Sequence, residues 1–319
     1  MEQPLVSVFL PTYNHVEYID EAIRSAVEQN YDRLEVVVGD DGSTDGTRER
    51  VLDHARRWPG RVVPMVDLPH LGITGNCNRT LAACRGQYVV FHGGDDVFLP
   101  GKVEAQARWF DADEQRVMCG HAVELFDSRS GSTLGVTTGP GPLRGGQGAV
   151  AIIKDLGLFP GLSVAIRRSA IPPAGLDARI EVVSDWKLQI DSLAAGGRYG
   201  FVDGVYSRSR VHSESVSYRS TREEMMHHAF FGGFMMTLAI IEIEWPGLMS
   251  ACFHARGRVL FNEARWHQAH GDPRKARRFF VQALRHGIMA KGAAGALMTT
   301  MPEAVTREFE IVLHRLRPR

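Results

Sequence analysis

The first hundred residues switch repeatedly between two hydrophobic periods, and that alternation constrains the fold more than any other feature. Residues 5–10 form a short apolar run closed by Pro11-Thr12-Tyr13-Asn14, a turn signal. Ile19, Ala22, Ile23, Ala26 and Val27 then recur at helical spacing and define one buried face. A second apolar run, 34–38, is stopped by Gly39-Asp40-Asp41-Gly42-Ser43-Thr44-Asp45, where Ser43, Thr44 or Asp45 can cap a helix reaching Arg56. Residues 62–66 predict a third strand, 73–84 a helix and 88–91 a fourth strand. The β-α-β-α-β order requires a parallel sheet with helices on both faces. Ligands of such sheets bind beyond the carboxyl ends of the strands. Both acidic clusters, Asp40-Asp41 and Asp95-Asp96, fall at those ends.

Beyond Asp96 the pattern changes. Pro100 suits the first turn of a helix running to about residue 110. Residues 117–126 and 162–166 predict strands, 185–195 a helix, and 199–211 a strand or loop. Residues 128–148, with seven glycines between Gly131 and Gly148, predict a long loop. From about Thr221 the pattern is helical. Residues 254–286 predict a helix-turn-helix about Gly271-Asp272-Pro273, and no 34-residue repeat follows, which predicts a packing appendage.

With 44% hydrophobic and 23% charged residues the composition excludes a disordered chain, and Lys+Arg and Asp+Glu, 37 each, leave no basic excess for nucleic acid. The balance is uneven, however. Residues 255–319 hold 13 Lys/Arg against 5 Asp/Glu, leaving 24 against 32 before them. The four cysteines form no C-x-x-C pair, which predicts reduced thiols in a cytosolic protein. The N-terminus has no positive region or cleavage site and predicts a strand rather than a signal peptide. The longest apolar run, 229–241, has 13 residues, short of the roughly 20 that span a bilayer. These features predict a soluble protein and leave membrane association open.

No G-x-G-x-x-G follows the first strand and no P-loop is present, so a glycine phosphate cradle is unsupported. Carboxylates stand there instead, and a carboxylate repels a phosphate unless a divalent cation lies between them. The acidic strand ends predict either a metal–diphosphate site or hydrogen bonding to ribose and base. An Asp-Asp pair after a strand also serves as a helix cap or solvated turn.

Val6-Ser7-Val8-Phe9-Leu10-Pro11-Thr12-Tyr13-Asn14, Asp40-Asp41-Gly42-Ser43-Thr44-Asp45, Gly72 with Asn78, and Phe91-His92-Gly93-Gly94-Asp95-Asp96 resemble, in order, the signature segments of family-2 glycosyltransferases. The likeness is dense to about residue 110 and thin to about 217. It implies a GT-A-type α/β fold, a mostly parallel sheet flanked by helices, with a C-terminal helical appendage. It further implies a catalytic domain over 1–217, with a nucleotide-binding half to about 112 and an acceptor half from 113, then a helical region over 218–319.

The resemblance also implies roles. Pro11 and Tyr13 line the nucleotide base, Tyr13 by stacking, with Thr12 and Asn14 in the same turn. Asp40 accepts a hydrogen bond from uracil, and Asn78 belongs to the nucleotide-sugar site. Asp95 lies on the ribose or diphosphate side, and Asp96 is the ligand of Mn²⁺ or Mg²⁺. Many family members read Asp-x-Asp-Asp, whereas Gly93 stands at the first position here. Ser184-Asp185-Trp186 resembles the family's Glu-Asp motif, which implies Asp185 as general base. By residue type alone Asp185 also reads as a helix cap. Arg208-Ser209-Arg210-Val211-His212 resembles the R-x-H segment, which implies His212 at the metal or diphosphate; a surface histidine in a basic loop is the other reading.

The expected activity is inverting transfer of a sugar from a nucleotide-diphosphate donor, UDP-linked, to an acceptor hydroxyl on a glycan or lipid-linked molecule. Its expected setting is surface polysaccharide or glycolipid assembly in the cytoplasm. Arg274, Lys275, Arg277 and Arg278 allow peripheral docking at the inner face of a membrane or serve as a solvated face. The helical tail is also a candidate surface for homo-oligomers. A nucleotidyltransferase on a similar sheet and a non-catalytic scaffold remain alternatives.

Overall fold

The four apolar runs of the first hundred residues form adjacent strands buried on both faces, the environment that continuous apolar runs require. In the computed structural model β1 (Val6–Thr12), β2 (Leu34–Asp40), β3 (Val62–Met65) and β4 (Tyr88–Phe91) are parallel in the order β3-β2-β1-β4. Val8 sits opposite Val36 on one side and Val90 on the other. Helices α1 (Ile19–Val27), α2 (Thr47–Arg57) and α3 (Gly72–Ala83) make the crossovers. The structure describes residues 3–67, 69–138, 148–154, 156–157, 159–180, 182–213, 215 and 223–288.

After β4 the sheet changes direction. A two-residue strand, β5 (Val97–Phe98), precedes α4 (Lys102–Asp111) and β6 (Arg116–Asp127). Next come β7 (Thr133–Thr137), α5 (Ala149–Lys154), β8 (Ala165–Arg167), α6 (Ser184–Ala194) and β9 (Arg198–Val211). Strand β8 pairs antiparallel with β4 and β6, β9 runs parallel to β6, and β5 pairs with β9. Among the described residues nine strands join in one mixed sheet. Strand β7 forms an antiparallel hairpin with β6, so part of the expected 128–148 loop is ordered as strand. Its sequence, Thr-Leu-Gly-Val-Thr, is too short and too exposed to show an apolar period. Residues 139–147 of that loop, Glu181, and residue 217 at the expected domain end lie outside the described residues, as does 289–319.

At the amino edge of the sheet, a buried carboxylate ties three strands together. Glu35, near the start of β2, accepts from Ser7 Oγ at 2.6 Å, from the Arg85 backbone N–H at 2.8 Å and from its guanidinium at 2.6 Å. Ser7 Oγ in turn accepts from Gly86 N–H at 2.7 Å. Burial alone would raise the Glu35 pKa, but the bonds from Ser7 and Arg85 prevail and lower it.

The chain divides into two compact units, Met1–Ile152 with Gly157–Gly233, and Ile153–Leu156 with Phe234–Arg319. Helix α7 (Glu224–Glu244) crosses that division; α8 (Met249–Ala269) and α9 (Pro273–Arg285) lie in the second unit. The helical hairpin expected over 254–286 is present, with α8 starting five residues earlier. Pro273 opens α9 after Asp272, whose carboxylate accepts from Lys275 N–H at 3.0 Å. Ala264, Ala276 and Phe280 are buried at the α8–α9 contact. Arg256 forks onto Glu242 at 2.9 and 2.8 Å, fixing the start of α8 to the end of α7. Helix α7 has 21 residues, longer than its apolar run because residues 224–228 and 242–244 are helical as well. By length and composition it can cross a membrane, and only 22% of its most apolar window is buried.

Replacing Glu35 by Ala strands the Ser7 hydroxyl, the Arg85 backbone N–H and the Arg85 guanidinium. The expected loss is about 1–3 kcal/mol, measured as a lower urea midpoint at pH 7. Because the folded carboxyl is depressed, its contribution is present above the unfolded pKa and disappears as pH falls through the folded value. The gap between wild type and E35A should therefore narrow on acidification.

Candidate active site

The carboxyl edge of the sheet collects the chemistry-bearing side chains. Strand β1 delivers Pro11 and Thr12, then turns through Tyr13 and Asn14, whose φ of 53° is left-handed. The turn is pinned to the loop after β2: Asn14 Oδ1 accepts from Thr44 N–H at 3.0 Å, and Asn14 N–H donates to Ser43 Oγ at 2.8 Å. Tyr13 is 45% exposed, its ring 4.9 Å from that of His70. Asp40 ends β2 in a buried position and accepts from both N–H and Oγ of Ser43. Asp41, also buried, accepts from Leu71 N–H at 2.9 Å and lies 3.0 Å from His70 Nδ1 and 3.4 Å from Arg79.

Helix α3 packs close to β2, because a Cβ on Gly39 would overlap Thr80 Oγ1. Asn76 fixes this approach by donating to Gly39 O at 2.8 Å. Asn78, a few residues on, uses both ends of its amide on the Leu176 backbone, at 2.8 and 2.7 Å. It fastens the chain segment leading to α6, and its contacts are with that backbone.

The end of β4 carries the turn Gly93-Gly94-Asp95-Asp96, and β9 clasps it. His212 Nε2 lies 3.0 Å from Asp95 Oδ2. Arg210 donates its backbone N–H to Asp96 Oδ1 at 2.9 Å and its Nε–H to Asp95 O at 2.8 Å. The Arg210 guanidinium is held by Glu21 and stands over the rings of Tyr18 and Phe126. Asp95, Asp96 and His212 are thus brought together across more than 110 residues of chain. Arg208 is engaged elsewhere, on Glu124 at 3.1 Å.

Burial and the adjacent charge of Asp95 push the Asp96 carboxyl well above the usual range. For Asp95 burial also acts upward, but the His212 hydrogen bond and the charge of His15 outweigh it, and its pKa falls. Asp95 Oδ1 and Asp96 Oδ2 converge: both lie 2.9 Å from the position a Cβ on Gly93 would take. Among the described residues no three His, Cys, Asp or Glu side chains form a ready cage for a metal. A pair of converging carboxylates with one imidazole nevertheless fits a divalent cation whose other ligands are diphosphate oxygens and water, the usual environment of Mg²⁺ and one open to Mn²⁺.

Asp185 occupies the first turn of α6, two residues after Val183, a buried β-branched residue held at φ 60°. Its Oδ1 accepts from Trp186 N–H at 2.9 Å, so it does act as a cap contact. Its Oδ2 points toward Gly161, 3.8 Å from where a Cβ there would lie. Gly161 opens the short turn before β8, and because β8 is antiparallel to β4, that turn lies at the same sheet edge as Asp95 and Asp96. Desolvation raises the Asp185 pKa beyond what its backbone hydrogen bonds restore.

His15, His70 and Arg79 also belong to this edge, and sequence reasoning assigned them no role, while Asp41 and Arg210 entered it only as members of their segments. His15 lies 3.2 Å from Thr12 Oγ1, and Gly94 makes room for both, since a Cβ there would come within 2.6 Å of each. The signal for Arg210 was present in the R-x-H segment. Nothing local distinguishes His15 or His70.

A sheet of this order with its acidic cluster at the carboxyl edge is the GT-A class of fold. Among the solved structures that share it are the following two. S. aureus TarS, residues 1–349 in complex with UDP, aligns with a TM-score of 0.62 at 17% identity, covering 96% of this chain and 92% of that one. The mannosyltransferase PcManGT of Pyrobaculum calidifontis, in complex with GDP-Man and Mn²⁺, aligns at 0.57 and 19% identity, covering 97% and 84%. Residues 7–159 match the family model Glycosyl transferase family 2. An uncharacterised glycosyltransferase of Rickettsia typhi is 27% identical over 246 residues, 74% of this chain and 73% of the relative. One from Nostoc is 32% identical over 123 residues, 38% and 37% of the two chains. Residues 7–159 of this chain are thus similar to a family-2 glycosyltransferase domain.

Asp185 yields a prediction separate from turnover. Its folded pKa is raised, so folding favours the protonated form; that contribution is intact below the unfolded pKa and lost as pH rises through the folded value. Asp185→Asn keeps the acceptor for Trp186 N–H and removes the buried charge. Its Tm should exceed wild type at pH 8, by about 2–4 °C per kcal/mol recovered, and converge toward wild type near pH 4. An equal or lower Tm at pH 8 contradicts the burial argument.

Proposed function

We propose that this chain transfers a sugar from a nucleoside-diphosphate donor, UDP-linked, to an acceptor hydroxyl with inversion. The observation that carries the reading is the Asp95–Asp96 turn clasped by His212 and Arg210 at the sheet edge that also holds Tyr13, Asp40 and Asp185. That fold neighbours were solved with UDP, with UDP-GlcNAc and with GDP-Man and Mn²⁺ supports a nucleotide sugar as donor.

In this reading the exposed Tyr13 ring stacks on the base, with Pro11, Thr12 and Asn14 shaping the turn beneath it. Asp40 accepts the base N–H with a lone pair left after Ser43 is satisfied. Asn78 serves the donor site by anchoring Leu176. Asp95 faces the ribose and diphosphate, and Asp96 with His212 would hold Mn²⁺ or Mg²⁺. When bound, the cation neutralises charge on the departing diphosphate. Asp185 accepts the proton of the acceptor hydroxyl as its oxygen attacks the anomeric carbon. A raised pKa suits that task, because a stronger base takes the proton more readily.

The division of labour follows the sequence: residues 1–217 handle donor and transfer, and the helical region from 218 serves acceptor access or self-association. We assign the acceptor to a glycan or lipid-linked molecule of surface polysaccharide or glycolipid assembly, met at the cytoplasmic face of a membrane.

Two measurements test this. Calorimetric titration with UDP should show affinity that rises with Mn²⁺ in wild type, while Asp96→Ala binds alike with Mn²⁺ or chelator. Equal wild-type affinity in both conditions removes the metal assignment. With a working donor and acceptor, Asp185→Asn should bind UDP normally and lose on the order of 10²–10⁴ in turnover; the released product should be UDP rather than pyrophosphate. A loss below tenfold moves the base role to another carboxylate.

A further inference from the structure

Helix α9 presents two unlike faces. Ala276, Phe280 and Ala283 are buried at the contact with α8. On the opposite side Arg274, Arg277, Arg278, Val281, Gln282 and Arg285 line a shallow concavity of about 370 Å³. Their spacing, three, four, seven, eight and eleven residues from the first, is that of one helical stripe. All four arginines are exposed, and among the described residues none has a hydrogen bond or ion pair, whereas Arg208, Arg210 and Arg256 are each paired. The thirteen residues of α9 hold five basic side chains and no acidic one. Like charges three and four apart on a helix repel, so this stripe is destabilised until an anionic partner covers it.

Exposed apolar side chains lie in the same unit, one of them at the end of the stripe. The Phe253 ring, 42% exposed, is 4.6 Å from the ring of His286, which directly follows Arg285. Met249, one helical turn before Phe253 on α8, is 53% exposed, and Ile243 at the end of α7 is 80% exposed. Arginines beside exposed apolar side chains suit a bilayer interface, where guanidiniums meet headgroup phosphates and the apolar groups enter the acyl boundary. A soluble polyphosphate gives Met249, Phe253 and Ile243 nothing to contact.

We infer that the arginine stripe of α9, with Phe253 and Met249 beside it, docks this protein on an anionic phospholipid surface. This deepens the reading above by naming the surface that meets the membrane, and its test does not depend on donor chemistry. Each arginine is expected to contribute about fivefold in partitioning at low salt.

The test is sedimentation of the full chain with vesicles of phosphatidylcholine alone and of phosphatidylcholine with one-quarter phosphatidylglycerol, at low and 0.5 M salt. Wild type should partition onto the anionic vesicles at least tenfold better than onto neutral ones, and salt should reduce this. R274A/R278A should lose more than tenfold of the anionic preference with a Tm no lower than wild type, and F253A/M249S should lower binding at both salts, each with unchanged UDP affinity. Equal binding to both vesicles, or full binding by R274A/R278A, overturns the proposal. So does no vesicle binding together with thermal stabilisation by soluble tripolyphosphate, which makes the stripe a soluble-phosphate site. An arginine-dependent dimer in size exclusion that excludes vesicles assigns the face to a second copy and likewise overturns it.

Discussion

Two carboxylates held side by side at the end of a buried strand repel each other, and the site is organised around that repulsion. Asp95 keeps its charge because His212 and His15 stand by it, whereas burial and the charge of Asp95 push Asp96 toward protonation despite the Arg210 N–H, the Ser209 hydroxyl and the charge of Lys102. The turn persists because β9 grips it at three points, and β9 is itself held by Glu21 through Arg210. The two glycines before the pair follow from the same crowding. A side chain at Gly93 would enter the point on which both carboxylates converge, and one at Gly94 would strike Thr12 and His15. The departure from Asp-x-Asp-Asp thus leaves open the space between the remaining acids.

The parallel half of the fold was legible because each strand is a continuous apolar run ending in a turn signal, and each helix shows one apolar face. Strand β4 falls on the expected residues, and α3 and α6 within one residue of theirs. The rest was hidden for physical reasons. Strand β5 is two residues long and exists only because β9 pairs with it. Strand β7 depends on its hairpin partner β6 and buries no face of its own.

Within the site the same division holds. The residues of signature segments, Tyr13, Asp40, Asp95, Asp96, Asp185 and His212, could be named because motif spacing survives in sequence. His15, His70 and Arg79 could not, since their neighbours are set by how loops after different strands meet. Asn78 shows what a motif leaves out: the sequence locates it, but only the structure reveals that its amide is used by the Leu176 backbone.

The two edges of the sheet differ in how completely their polar groups are satisfied. At the amino edge Glu35, Ser7 and Arg85 form a closed network, and Arg61 donates to the carbonyls of Val27, Gln29 and Tyr31 behind α1. Tyr31 closes the same corner by donating to Pro4 O. At the carboxyl edge burial pushes the Asp96 and Asp185 carboxyls upward, and Val183 is held in a conformation costing about 1–3 kcal/mol for a non-glycine residue. Strain and unfavourable charge persist only where surrounding structure over-determines them. Parallel strands hydrogen-bonded through a saturated amino edge supply that determination, because β1, β2 and β4 cannot shift in register without breaking the Glu35 network. The rigidity of one edge thus holds acids at the other edge in positions they would not adopt alone, ready for a ligand whose charge they match.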